Sequence, residues 1–295
     1  MSNSAIRIRI ALQKSGRLSE GSVRLLKECG ISFDSTHGSA KLKSSSSNFP
    51  IEILFLRDDD IVRYVADGIV DAGIVGENAL CEERAQEIHG VRVIEPLGFS
   101  KCRLSIAVPR DMEYNGIQDL NSKRIATSHP NILLNFLKNK NINATIHEIS
   151  GSVEIAPGIG LADAICDLVS SGSTLSSNGL KEAELIMESQ AVLIACKTLE
   201  AELEGILQDL LFRIKSVGRA KNNKYVLLNA PNESLEKITT ILPGMKSPTI
   251  VPLADKGWSS VHSVMHEDEF WQKIENLKEA GAQGILIVPI EKMII

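Results

Sequence analysis

Cysteine is sparse in this chain and nowhere clustered. Cys29, Cys81, Cys102, Cys166 and Cys196 stand singly, without a C-x-x-C pair, mostly in apolar settings. That spacing argues against a disulfide framework and for reduced thiols in a cytosolic setting. Long apolar runs are also missing. None could span a bilayer, and the opening MSNSAIRIRIAL is too short and too interrupted by Arg7 and Arg9 for the core of a secretion signal, so a cytoplasmic location is expected. Nor is there an excess of positive charge. Against 37 Asp and Glu, 32 Lys and Arg leave a net charge of −5, which disfavours a nucleic-acid partner and leaves small ligands, anions included. Aromatic residues make up only 4% of the chain, and Trp258 and Trp271, both near the end, read as core or interface rather than ligand platforms. No histidine has a partner at metal-ligand spacing, and His147, His262 and His266 lie in or beside expected strands, where packing or hydrogen bonding explains them, so no protein-only metal site is expected.

What is present is an alternation of strand and helix in a chain of 295 residues, 43% hydrophobic and 23% charged, long enough for two or three domains. Ile6 to Leu12 reads as a strand, the polar turn Gln13 to Arg17 follows, and an amphipathic helix runs from about Ser19 to Cys29, closed by Gly30. A second unit repeats the pattern: apolar Ile51 to Leu56, then Arg57 and three aspartates that cap a helix ending at Gly68. DAGIVG (71–76) is a buried strand that opens into another helix.

The stretch with most chemical content is EISGSVEIAPGIGLADAICDLVSSGSTL (148–175). It closes in DLVSSGST (167–174), where Ser170, Ser171, Ser173 and Thr174 supply hydroxyls and Gly172 lets successive backbone N–H groups curl toward one anion, as phosphate-binding turns require. Ordinary loop composition would read the same, and the context decides between them. If DAICDLV is a strand, Asp163, Ile165 and Asp167 share a face; if it is a helix, Asp163 and Asp167 still do. The strand is preferred, because the turn then feeds a helix beginning near Thr174. Asp163 and Asp167 could then bind sugar hydroxyls or a hydrated Mg²⁺ carried by a polyphosphate.

The run around residue 71 and the run around residue 163 echo one another. That implies two α/β lobes presenting strand-end loops to a shared cleft, the usual place for a ligand in such folds. CRLSIAVP (102–109) reads as a strand crossing between lobes, and Ala183 to Cys196 as two apolar runs that carry the chain back. A charged helix from Leu199 to about Lys215 precedes a polar boundary at Gly218 to Lys224. Beyond it comes strand, helix, strand, strand, helix, strand, the βαββαβ order of a ferredoxin-like domain, suited to sensing or assembly.

Taken together, ALQKSGRLSE, RDDDIVRYVADGIVDAGIVGENAL, CRLSIAVP, KRIATSHP, GSVEIAPGIGLADAICDLVSSGSTLSSNGL, LPGMKSPTIVPL and the closing IVPIEKM resemble, in order and over nearly the whole chain, the long form of the ATP phosphoribosyltransferase family. The resemblance implies a two-lobed core like type II periplasmic binding proteins, with residues 1–103 and about 184–217 forming one lobe and 104–183 the other. It also implies a regulatory domain over 222–295. The implied reaction moves the phosphoribosyl group of phosphoribosyl pyrophosphate (PRPP) to N1 of ATP with Mg²⁺ present and releases pyrophosphate, the first step of histidine biosynthesis. Feedback by histidine and a homo-oligomer converting between dimer and hexamer follow from the same resemblance.

On that reading Ser170, Ser171, Gly172, Ser173 and Thr174 hold the 5-phosphate, and Asp167, with Asp163, the ribose hydroxyls. Lys14, Arg17 and Arg57 meet phosphates and nucleotide, joined by Asp71, Glu77 and Glu154, for which capping or structural roles are close rivals. Met245 and Thr249, in LPGMKSPT, are the expected histidine contacts. N1 of adenine carries its own lone pair, so no catalytic acid or base is expected. Two alternatives stand: a non-catalytic sensor of a phosphorylated metabolite, or a phosphoribosyltransferase for a free base. Against the latter, Cys166 occupies the place where those enzymes usually carry a second acidic residue.

Overall fold

Buried apolar side chains build the first elements. The computed structural model describes residues 6–34, 42–84 and 89–295. Strand β1 (Ile8–Gln13) buries Ile8, Ile10, Ala11 and Leu12, and helix α1 (Arg17–Glu28) packs Val23, Leu25 and Leu26 inward. Short β2 (Lys43–Ser45) and β3 (Ile51–Leu56) follow. Helix α2 (Asp58–Ala66) opens on three aspartates, placing negative charge at its positive end. Then come β4 (Ala72–Gly76), α3 (Glu77–Arg84) and β5 (Val91–Pro96).

The next stretch repeats this plan: β6 (Cys102–Pro109), β7 (Arg124–Thr127), α4 (Pro130–Asn139), β8 (Thr145–Glu148), a 3-10 turn Val153–Ile155, β9 (Ala164–Val169), α5 (Ser173–Ser177) and β10 (Leu180–Ser189). DAICDLV is thus a strand, and the helix after the phosphate turn starts one residue before Thr174. Strand β11 (Ala191–Cys196) and the long α6 (Ala201–Ala220) complete this part.

Two sheets result. One is ordered β2-β3-β1-β4-β11-β5 and the other β10-β6-β9-β7-β8. In the first, β1 lies parallel to β3 and β4, and β11 is antiparallel to β4 and β5. In the second, β7 lies parallel to β8 and β9, and β6 is antiparallel to β9 and β10. Apart from the added edge strand β2, the plans correspond strand for strand, and each antiparallel inner strand arrives from the other lobe: β6 directly follows β5, and β11 directly follows β10. The crossings are residues 97–101 and 190, so Cys102–Pro109 lies wholly in the second sheet rather than bridging. Strand β10 also stays in the second sheet, paired with β6 through two bulges, and the first sheet is rejoined at Ala191, later than the expected 184.

The lobes share a further detail. Arg9 donates its backbone N–H (2.7 Å), Nε (3.2 Å) and Nη2 (2.8 Å) to the Asp71 carboxylate, and Arg124 does the same to Asp163 at 2.8, 3.2 and 2.9 Å. Both aspartates stand just before the parallel strand next to the arginine, at the end away from the ligand-facing loops.

By compactness the chain divides into units 1–208 and 209–295. The second begins within α6, earlier than the expected boundary at Gly218 to Lys224. It contains β12 (Asn223–Pro231), α7 (Leu235–Ile241), β13 (Thr249–Pro252), β14 (Trp258–His266), α8 (Glu267–Glu279) and β15 (Gln283–Pro289). These form a sheet in the order β13-β14-β12-β15, with the expected βαββαβ plan. Phe270, Leu277, Leu228 and Val261 anchor its core, whereas Trp271 is exposed rather than core. His262 is held on both ring nitrogens, by Tyr225 Oη at 3.1 Å and Ser260 Oγ at 3.0 Å. No helix among the described residues is long and apolar enough to cross a membrane.

Candidate active site

In a parallel sheet the loops after the strands gather at one edge, and here the first unit's two sheets turn those edges toward each other. The contact that shows this is Arg17, at the start of α1, whose Nη1 donates to Ser170 Oγ at 3.1 Å. Around it lies a cavity of about 490 Å³ lined by Glu77, Lys101, Cys102, Arg103, Ser170, Glu188, Ser189 and Gln190. Lys14 sits after β1, its N–H bonded to Leu56 O at 2.8 Å, and Arg57 is the exposed residue between β3 and α2.

The turn after β9 has the form its composition suggested. Gly172 adopts φ 78° and ψ 1°, a left-handed conformation that side chains strain to reach, and it opens α5. Ser171 and Ser173 share a hydroxyl hydrogen bond of 3.0 Å, and the turn is largely exposed. Asp167 faces inward. Burial pushes its carboxyl above the ordinary carboxylate range and Glu154 reinforces the shift, while the N–H of Leu168 at 2.8 Å opposes it. Asp167 and Glu154 are thus near neighbours, brought together from β9 and the 3-10 turn after β8.

Two expected residues are not brought there. Asp163 stands just before β9, the strand that carries Asp167, and four residues of extended chain separate the two by about 13 Å. Its carboxylate is held by Arg124, which lowers its pKa to about 2. Asp71 stands at the matching place in the first lobe, buried and forked by Arg9, whereas Glu77 at the other end of the same strand lines the cavity. Reading a shared face left out the length of the strand. In the second unit, Met245 is exposed in the loop before β13 and Thr249 is exposed at its start, opposite His262.

Several residues at the site carry no motif. The first crossing pairs with the start of β11, Leu97 N–H to Ala191 O at 2.9 Å and Ala191 N–H to Phe99 O at 3.0 Å, and the ring of Phe99 packs where Gly21 has no side chain. Asn78 receives Ser189 Oγ at 2.9 Å and donates to His129 Nε2 at 2.9 Å. That amide donor assigns the ring proton to Nδ1, and burial holds His129 below its ordinary pKa, against the pull of Glu82 and Asp59. Glu82 of α3 accepts from Asn131 N–H at 2.7 Å and Ile132 N–H at 2.9 Å, capping α4 of the other lobe. Arg103 forks onto Glu182 and reaches the carbonyl of Ser170 at 3.2 Å. The sequence reading passed over Arg103; an arginine entering the apolar run CRLSIAVP is the signal that could have pointed to it. Cys166 is no nucleophile, since burial pushes its thiol up to about 12.

Comparison with known proteins adds the chemistry. Residues 57–216 match the family model of ATP phosphoribosyltransferase, and residues 220–292 match that of its C-terminal domain. A protein of Cytophaga hutchinsonii named ATP phosphoribosyltransferase is 60% identical over 287 residues, which covers 97% of this chain and 98% of that one. One of the same name from Bacteroides thetaiotaomicron is 56% identical over 288 residues, 98% of this chain and all of its own. Among solved structures, an ATP phosphoribosyl transferase (HisG:HisZ) complex from Thermotoga maritima gives a TM-score of 0.58 at 25% identity, covering 70% of this chain and 98% of that chain.

Proposed function

The chain belongs to the ATP phosphoribosyltransferase family, and on that premise we propose that the turn Ser170–Thr174 and the strand ends around it carry the family's reaction. The protein is a pentosyltransferase of histidine biosynthesis that moves the phosphoribosyl group of PRPP to N1 of ATP. The bond from the ribose anomeric carbon to pyrophosphate breaks as the bond to N1 forms. Positive charge gathers on the sugar and negative charge on the leaving group, so stabilising charge is the main task.

The observation that carries the assignment is the turn itself: three serine hydroxyls, the Thr174 hydroxyl and a left-handed Gly172 at a strand end, touched by Arg17 from the facing lobe. These groups hold the 5-phosphate. Asp167 and Glu154 receive the ribose hydroxyls, and Lys14, Arg17, Arg57 and Glu77 line the approach of ATP and pyrophosphate. Asp163 and Asp71 are left out, being committed to arginines. No group of three or more metal-ligating side chains occurs among the described residues. The Asp167 and Glu154 carboxylates, close together and unfavourable to each other, fit a Mg²⁺ that arrives with the polyphosphate and neutralises the departing charge.

The second unit is read as the histidine-responsive domain, with Met245 and Thr249 as contacts. Residues 222–295 then form the regulatory domain, with the first lobe built from the chain up to Pro96 and from β11 (Ala191–Cys196), and the second from 102–189. Its sheet leaves Val251, Leu286 and Val288 exposed on one face, an apolar surface that supports a homo-oligomer, dimer or hexamer. Singly spaced cysteines without a C-x-x-C pair and soluble phosphorylated substrates support a cytoplasmic enzyme. The test is product absorbance on mixing protein, ATP, PRPP, Mg²⁺ and pyrophosphatase, with and without histidine. Product that histidine suppresses is expected, and ligand binding without product would refute the transferase. Inhibition that survives removal of residues 222–295 would refute the assigned role of the tail.

A further inference from the structure

Ser170 is held at two atoms from two lobes. Its hydroxyl accepts from Arg17 Nη1 at 3.1 Å, and its carbonyl accepts from Arg103 Nη1 at 3.2 Å. Arg103 is itself fixed. On β6 it stands opposite Val169, the last residue of β9, and its Nε and Nη2 fork onto the two carboxylate oxygens of Glu182. Ser105 Oγ donates a third bond to Glu182 Oε1 at 2.7 Å, and Glu182 borders a bulge in β10 that shifts its register against β6.

The peptide plane gives this clamp its consequence. In a trans peptide the C=O of Ser170 and the N–H of Ser171 point in opposite directions and turn together. Holding that carbonyl against Arg103 therefore aims the first N–H of the turn away from β6, the orientation an anion in the turn requires. Were the clamp absent, the peptide could flip and present its carbonyl oxygen to the phosphate instead.

We propose that Arg103 is a positioning residue of the transfer reaction, held by Glu182 and Ser105 so that it sets the Ser170–Ser171 peptide for the 5-phosphate of PRPP. The proposal rests on the reading of the turn as the PRPP site. It assigns Arg103 no contact with substrate, and Glu182 acts only through Arg103.

The experiment compares wild type with Arg103→Met, Arg103→Lys, Glu182→Gln and the double variant Arg103→Met/Glu182→Gln in the full chain, measuring KM for PRPP and for ATP, kcat and the unfolding midpoint. Arg103→Met is expected to raise KM for PRPP about tenfold, the worth of one charge-assisted hydrogen bond. Glu182→Gln should shift KM for PRPP in the same direction, Arg103→Lys should recover part of the loss, and the double variant should be no worse than Arg103→Met alone. KM for ATP should stay within about twofold throughout. An effect of Arg103→Met with Glu182→Gln silent would overturn the proposal in favour of direct contact. Equal rises in both KM values, or a fall in midpoint with KM for PRPP unmoved, would overturn it in favour of general structure. Active wild type with unaffected variants sinks this proposal alone, whereas wild type that makes no product sinks the parent reading and this one with it.

Discussion

Replacing Asp163 with Asn separates a ligand residue from a structural brace. The Asp163 carboxylate accepts three donors from Arg124, two on Oδ2 and one on Oδ1. The amide retains an acceptor for the first two and sets its NH₂ against the guanidinium in place of the third. With side-chain exposures of 34% and 42% for Asp163 and Arg124, water screens the loss, and a cost of about 1–2 kcal/mol is expected. Asp71→Asn breaks the same fork where the aspartate is only 6% exposed, so about 2–4 kcal/mol is expected there. At roughly 2–4 °C per kcal/mol for a unit of this size, the midpoints should fall by about 2–8 °C and 4–16 °C respectively. The folded pKa of Asp163 lies below its unfolded value, so its stabilisation is present above the unfolded pKa and disappears as pH falls toward about 2, where the Asn variant and wild type should converge. Thermal unfolding followed by circular dichroism, alongside initial-rate kinetics, reads both effects. A rise in KM for PRPP in Asp163→Asn, with the midpoint unchanged, would refute the reasoning.

Asp167 carries the opposite sign. Its folded pKa is raised, so it stabilises the fold only below its unfolded pKa and that contribution is lost as pH rises through the folded value; Asp167→Asn should gain about 1 kcal/mol at neutral pH by calorimetry while losing at least 100-fold in kcat/KM for PRPP. Gly172→Ala meets only Val169 Cγ1 at 3.9 Å, so its cost is backbone strain, about 1–2 kcal/mol, read as weaker PRPP binding by calorimetry. Glu82→Ala uncaps α4 from across the lobes and should lower stability by about 1–2 kcal/mol in denaturant unfolding, and a variant as stable as wild type would contradict the cap.

The elements that were readable from sequence were those with one dominant local signal. The turn at Ser170–Thr174 follows from hydroxyls around a glycine, and α2 from three aspartates before an amphipathic stretch. The tail's four strands and two helices follow from clean punctuation by glycine and proline. What was not readable depends on pairings between distant segments. Asp163 and Asp71 look like ligands until Arg124 and Arg9 are seen across the neighbouring strand, 39 and 62 residues away in the chain. The Asn78–His129–Ser189 cluster joins three segments with no shared spacing. Strand β10 looked as apolar as β11, and only its bulged pairing with β6 keeps it in the second sheet.

The exchange of strands between the lobes has a consequence for how the chain is made. When Pro96 leaves the ribosome, every parallel strand of the first sheet has been synthesised, yet β4, paired with β1 on one side, has its other edge bare and β5 has no neighbour, because β11, which stands between them, ends at Cys196. At ordinary translation rates of about 5–20 residues per second, the nascent first lobe waits roughly 5–20 s with a buried-type strand, AGIVG, open to solvent. The second lobe, which receives β6 before its own strands are made, has no such wait. Stalled nascent chains ending between residues 100 and 190 should therefore be the ones that chaperones hold and proteases cut in the first lobe.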